Sequence, residues 1–103
     1  MSLSVQVTQA SPQSAVVKVE GEVDIFTVDH LLAAIEKCNA KTIVLNCEGL
    51  VFIDSTGIGL LLRKMVELKE QGINVTFDSV PEPIDAILDE MGIYEILDEL
   101  NGR

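Results

Sequence analysis

The chain has 103 residues, 48% of them hydrophobic, with seventeen acids against seven bases and a formal net charge of −10. That length fits one domain with a single core, and the apolar content excludes general disorder. The charge argues against nucleic acid, whose binding needs a basic surface, and against anionic lipid; solubility and steering toward a basic protein face both account for it.

Residues 3 to 8 alternate, with Leu3, Val5 and Val7 set against Ser4, Gln6 and Thr8. Residues 15 to 20 place Ala15, Val17 and Val19 on one face. Ser11-Pro12-Gln13-Ser14 between them is a turn, so the pair is expected to form an antiparallel hairpin. From about Thr27 a helical stripe of Val28, Leu31, Leu32, Ile35 and Cys38 follows. Thr42 to Cys47 reads as a central strand, apolar on both faces, of the kind that helices cover on at least one side. A short loop then leads to a helix from about Thr56 to Glu70, carrying Ile58, Leu61, Leu62, Met65 and Leu68, with Gly72 at its exit. Ile73, Val75 and Phe77 alternate as a further strand. Ser79-Val80-Pro81-Glu82 has the pattern of a capping box with an early proline. The helix it opens is marked by Ile84, Ile87, Leu88 and Met91. Ile93 to Leu97 is expected as a last, short edge strand.

The order is therefore β-β-α-β-α-β-α-β over a single domain, residues 1–103. This is an α/β fold with a mixed sheet: an N-terminal antiparallel hairpin, then right-handed βαβ crossovers with helices packed on the sheet. A strictly alternating receiver domain begins βαβ, and this chain does not. No apolar run reaches the ~18 residues of a membrane span, and no basic region followed by an apolar block marks a secretory signal. Cys38 falls on a helical stripe and Cys47 ends a strand. Two thiols without a nearby His suit buried, reduced cysteines, so a cytoplasmic location is expected.

The chemistry concentrates in Asp54-Ser55-Thr56-Gly57-Ile58-Gly59. An acid, two hydroxyls and a glycine stand where a helix begins, beside unsatisfied N–H groups and the positive end of the dipole. One such residue suffices for an N-cap; three in a row, followed by glycines that clear space, also suit a hydroxyl kept accessible to another molecule. Leu60 lies off the apolar stripe, as a plain surface leucine or as a protein contact. A hydrolase would need a base for Ser55, and the single histidine, His30, belongs on a helix surface. Gly-x-Ser-x-Gly is not matched, because Ile53 stands at the first glycine. Leu62 stands where a dinucleotide fingerprint has its third glycine, and no phosphate-binding Gly-x-x-x-x-Gly-Lys loop occurs. Glu22, Asp24, Asp29 and Asp54 would bind a divalent cation only if they converged; surface solvation and capping account for them as well. No metal, no cofactor and no catalysis by the chain itself are expected.

The hexapeptide closely resembles the Asp-Ser-Ser/Thr-Gly-x-Gly motif of bacterial anti-sigma factor antagonists, which are single STAS domains. Gly21-Glu22-Val23-Asp24 is similar to that family's Gly-Glu-x-Asp at the end of the second strand. Ile43-Val44-Leu45-Asn46 resembles its central strand, and Gln71-Gly72 before Ile73-Asn74-Val75 its helix-to-strand turn. The resemblance spans nearly the whole chain and implies a STAS fold with Ser55 as phosphoacceptor. It also implies a partner-binding surface around Asp24, Asp54, Ser55, Thr56, Gly57 and Leu60, with Ile25 and Phe26 offering apolar contact area. The implied partners are an anti-sigma factor, itself a serine kinase, and a PP2C-type phosphatase. The unmodified form binds the anti-sigma factor and frees a sigma factor; phosphorylation of Ser55 ends the binding, and the phosphatase restores it. The family ends with a further helix, whereas only Asp98 to Arg103 follow the last apolar run, so a shortened C-terminus with that helix absent or very short is expected. A transporter-associated STAS subunit and a stressosome-like scaffold component are the other readings, both without a phospho-switch.

Overall fold

Alternation builds β1 (Leu3–Gln9) and β2 (Ser14–Val23) into the expected antiparallel hairpin, with Val5 opposite Val19 and Val7 opposite Val17. The computed structural model describes residues 2–9 and 11–102, Asn101 as backbone only. After the hairpin come α1 (Val28–Lys37), β3 (Thr42–Ile53), α2 (Ser55–Glu70), β4 (Asn74–Asp78), α3 (Glu82–Glu90) and α4 (Ile93–Asn101). The sheet order is β1-β2-β3-β4, antiparallel in the first pair and parallel in the other two.

Register places Ala15, Ile43 and Val75 side by side, and next to them Val17, Leu45 and Phe77. Side chains alternate across a strand, so these share one face, and all but the half-buried Phe77 are buried. Val28, Leu31 and Ile35 of α1, Ile58, Leu61 and Met65 of α2, and Ile84 and Leu88 of α3 complete that core. Each such side chain contributes about 1.5–3 kcal/mol on burial. The opposite face carries Val16, Lys18, Asn46 and Thr76, exposed or half-buried. Lys64 of α2 pairs with Glu36 of α1 at 3.2 Å and with Glu67 at 3.5 Å, a surface link worth about 0–1 kcal/mol.

Four expectations are corrected. Ile93–Leu97 is not an edge strand but the start of α4, so the further helix expected to be absent or very short is present, over Ile93–Asn101. Gly92 at φ 74 precedes α4, and Ile93 and Leu97, one turn apart, are both buried. Ser79 opens no capping box: α3 starts after Pro81 without a side-chain cap, and Ser79 sits at φ 55, uncommon for a non-glycine residue. β3 runs on to Ile53, where a loop was expected after Cys47. The motif helix begins at Ser55, one residue before Thr56.

Both cysteines are buried and unpaired. Burial first, then the Asp78 carboxylate, pushes the Cys47 thiol up to about 12. An unfolded thiol ionises near 9.0, so above that pH the unfolded chain gives up a proton that the folded one keeps. Stability is therefore expected to be intact below pH about 9 and to fall from there towards pH about 12. Urea unfolding across that window checks it: the slope should flatten in Cys47→Ala, and an unchanged slope refutes the assignment.

Candidate functional site at the ends of the central strands

β4 accompanies β3 only from Thr42 to Asn46. The second half of β3 pairs with β2 alone, through two register shifts, and reaches Glu22 opposite Phe52 and Val23 opposite Ile53. Such irregularities re-aim side chains and bend the strand. Both strands thus end side by side, and the loops that follow them meet. The Asp54 N–H donates to the Val23 carbonyl at 3.2 Å.

Asp54 is the N-cap of α2, in extended conformation, with Oδ1 accepting the Gly57 N–H at 2.7 Å and its carbonyl accepting the Ile58 N–H at 3.0 Å. The cap therefore falls to the acid, and Ser55 and Thr56 stand exposed on the first turn. The two glycines play different parts. Gly57 is buried, and a Cβ there would lie 2.9 Å from the Val23 carbonyl oxygen and 3.0 Å from its Cγ1. It lets α2 close on the end of β2. Gly59 is exposed with nothing within 4 Å of a Cβ position, so no packing inside the chain calls for glycine there.

Asp24 follows Val23 directly and is 2% exposed. Its Oδ1 accepts the N–H groups of Phe26 at 2.8 Å and Thr27 at 3.1 Å. The Thr27 hydroxyl donates to the Glu22 carbonyl at 2.7 Å and accepts from the Asp24 N–H at 3.0 Å. Thr27, rather than Asp24, is the N-cap residue of α1, and Asp24 ties down the turn before it. The other carboxylate oxygen, Oδ2, is buried without a hydrogen-bond partner among the described residues. A buried unpartnered acceptor is costly. This turn thrusts Ile25 and Phe26 outward, 57% and 84% exposed.

All eight residues expected at the site therefore lie in two adjoining loops or on the first turns of α2. Leu60, exposed, lies four residues from Thr56 on the same helical face. Three more belong with them and were not anticipated. Val51 and Phe52 are 72% and 42% exposed, and Thr27 braces Asp24. The carboxylates Glu22, Asp24, Asp29 and Asp54 do not converge: among the described residues no group of three or more His, Cys, Asp or Glu could hold a metal ion. His30 is exposed on α1.

A mixed four-stranded sheet, helices packed on one face and an acid-capped pair of hydroxyls where the longest strand ends together define a small α/β fold distinct from the strictly alternating receiver. A family model described as STAS domain matches residues 5–101, and the chain belongs to the STAS domain family. It is 29% identical to an anti-sigma F factor antagonist of Paenibacillus polymyxa over 86 residues, 80% of this chain and 74% of that one. The solved anti-sigma factor antagonist SpoIIAA in its unphosphorylated form superposes with a TM-score of 0.72 at 25% identity, covering 97% of this chain and 98% of that one. SpoIIAA in its phosphorylated form, described as a Bacillus cell fate determinant, gives 0.66 at 26% identity over 89% and 86%. No helix of the described residues is long and apolar enough to cross a membrane.

Proposed function

We propose that this chain is an anti-sigma factor antagonist: unmodified, it binds an anti-sigma factor and frees a sigma factor, and phosphate on Ser55 ends that binding. The observation that carries the reading is the exposed Ser55 at the start of α2, next to the cap residue Asp54, whose N–H bonds to the Val23 carbonyl just before Asp24. The names of the relatives and the existence of SpoIIAA in a phosphorylated form support it. Exposed Ile25 and Phe26 follow Asp24, and exposed Val51 and Phe52 precede Asp54; they supply the apolar contact area that an interface combines with a few oriented polar groups. The anti-sigma factor acts as the serine kinase, and a PP2C-type phosphatase returns the protein to its binding form.

Incubation with the cognate anti-sigma kinase and ATP, followed by intact mass and phosphopeptide mapping, tests this directly. One phosphate on Ser55, lost on phosphatase treatment, is expected. Stable binding of the partner with no gain in mass would leave only constitutive docking and sink the switch.

Asp24 has a separable part in this scheme. Of the two carboxylate oxygens only Oδ1 is bonded into the turn, so Asp24→Asn can keep every bond that Oδ1 accepts while an uncharged NH2 replaces the unpartnered Oδ2. A melting temperature within about 3 °C of wild type is expected, with weaker kinase binding or slower phosphorylation and a smaller penalty from phosphate. Asp24→Ala strips the turn of its acceptor and should cost about 2–3 kcal/mol. If Asp24→Asn destabilises as much as Asp24→Ala while affinities and rates stay put, Asp24 is purely structural.

A further inference from the structure

β4 closes one side of the sheet and pairs with β3 alone, so its outer backbone edge is free among the described residues. Alongside runs α4, and between strand and helix lies a groove of about 430 Å3 lined by Val75, Thr76 and Phe77 and by Tyr94, Leu97 and Asp98. Val75 and Leu97 are buried, and Phe77 and Tyr94 are half-buried. The Tyr94 hydroxyl is engaged by Asp85 of α3, so its ring is what the groove meets. The border is acidic. Asp78 and Asp98 are exposed, and from Glu70 to Gly102 the chain holds nine acids and no Lys, Arg or His.

A free strand edge beside a helix, with an apolar slot between them, is the arrangement that accepts an extended peptide as an added strand. Backbone hydrogen bonds supply affinity and pockets for alternate side chains supply specificity. We infer that the β4–α4 groove binds an extended segment of a partner protein in which apolar residues alternate with Lys or Arg. The alternation follows from the strand itself. Val75 and Phe77 face the helices, whereas Asn74, Thr76 and Asp78 face the open side. An added strand therefore sends every other side chain into the slot and the rest to the face where Asp78 stands. Charge selects the occupant: a second copy of this chain brings −10 to an acidic rim, and a basic segment brings the complement. The groove is separate from Ser55, and the inference does not depend on the switch.

The probe is a fluorescein-labelled peptide, Lys-Val-Lys-Leu-Lys-Val-Lys, titrated into the whole chain with amide chemical shifts recorded in parallel. It should bind at least tenfold tighter than the same peptide with Glu for Lys, and more weakly as salt rises. It should perturb amides of Asn74–Asp78 and Tyr94–Asp98. Asp98→Lys, at an exposed position, should keep its melting temperature and weaken binding about fivefold. Replacing the central Leu of the peptide by Pro, which removes a backbone donor, should abolish binding, and Ser55→Asp should leave it unchanged. Equal binding of the Glu or Pro peptide, or shifts confined to other elements, overturns the inference. So does self-association of the free chain through β4, which names a second copy as the occupant.

Discussion

Phosphate on Ser55 is expected to lower affinity for the anti-sigma partner about a hundredfold or more while the fold persists. It adds about −1.5 to −2 charges to an exposed position on the first turn of a 16-residue helix. In the free protein water screens that charge, and the helix dipole favours it by about 0.3–1 kcal/mol. Beneath a partner the same charge is held beside Asp54 and Asp24. At separations of about 6–8 Å and an effective dielectric of about 20, the repulsion is about 2–5 kcal/mol. Each 1.4 kcal/mol is about tenfold in affinity. Ser55→Asp, with one charge and the wrong geometry, should lose only about 1–3 kcal/mol of binding. Ser55→Ala should block labelling, since Ser55 rather than Thr56 aligns with the family's modified position and opens α2. Titration of the partner against all three forms, beside thermal melts, is the measurement. Undiminished affinity of a folded phosphoprotein would place Ser55 outside the interface, and wild-type labelling of Thr56 in Ser55→Ala would move the acceptor.

The second large effect separates two glycines two residues apart. Gly57→Ala forces a methyl to 2.9 Å from the Val23 carbonyl oxygen, backbone that cannot swing aside. α2 must retreat from the end of β2, at a cost of about 1–3 kcal/mol, and the Asp54–Val23 bond that joins the two loops is strained. Partner affinity should fall with stability. Gly59→Ala meets nothing within 4 Å and should stabilise the helix by up to ~1 kcal/mol. If a partner's backbone approaches at this glycine, affinity falls in that variant although the melting temperature rises. Calorimetry of both variants, free and with partner, decides it. A Gly57→Ala protein as stable as wild type would show that the close approach carries no load, and unchanged affinity in Gly59→Ala would place that position outside the contact.

The sequence was readable where one periodicity held over one face. Alternation in β1, β2 and β4 and the 3.6-residue stripes of α1 and α2 fell where expected; on α3 the stripe holds for Ile84 and Leu88, while Met91 lies just past the helix and is exposed. β3 escaped past Cys47 because its bulges break the alternation: Cys47, Leu50 and Ile53 are buried three residues apart, a spacing that fits no regular strand. Val51 and Phe52 were hidden for the same reason, inside an unbroken apolar run. Ile93-Tyr94-Glu95-Ile96-Leu97 has apolar residues at positions that satisfy strand and helix alike, and only packing of Ile93 and Leu97 against the core separates them. At the site, that one of Asp54, Ser55 and Thr56 would cap α2 was legible because capping is local, but not that the acid would do it. That Asp24 would stand across from it depends on pairing β2 with β3 over some thirty residues of chain, and two glycines with opposite duties look identical as letters.

At the end of the sheet away from Ser55, the three turns are stitched together. The Lys41 N–H donates to the Pro12 carbonyl, Thr42 N–H to Gln13, and Asn74 N–H to Lys41. The Gln9 amide is bonded to the backbone of Asn39 in both directions. At the Ser55 end the last half of β3 has a neighbour on one side only. The consequence is a gradient of local stability along β3, with amide exchange slower near Thr42–Leu45 and faster through Val51–Phe52. Ordering on contact then costs conformational entropy at one end alone, and the clamped end holds register while the other adapts its shape.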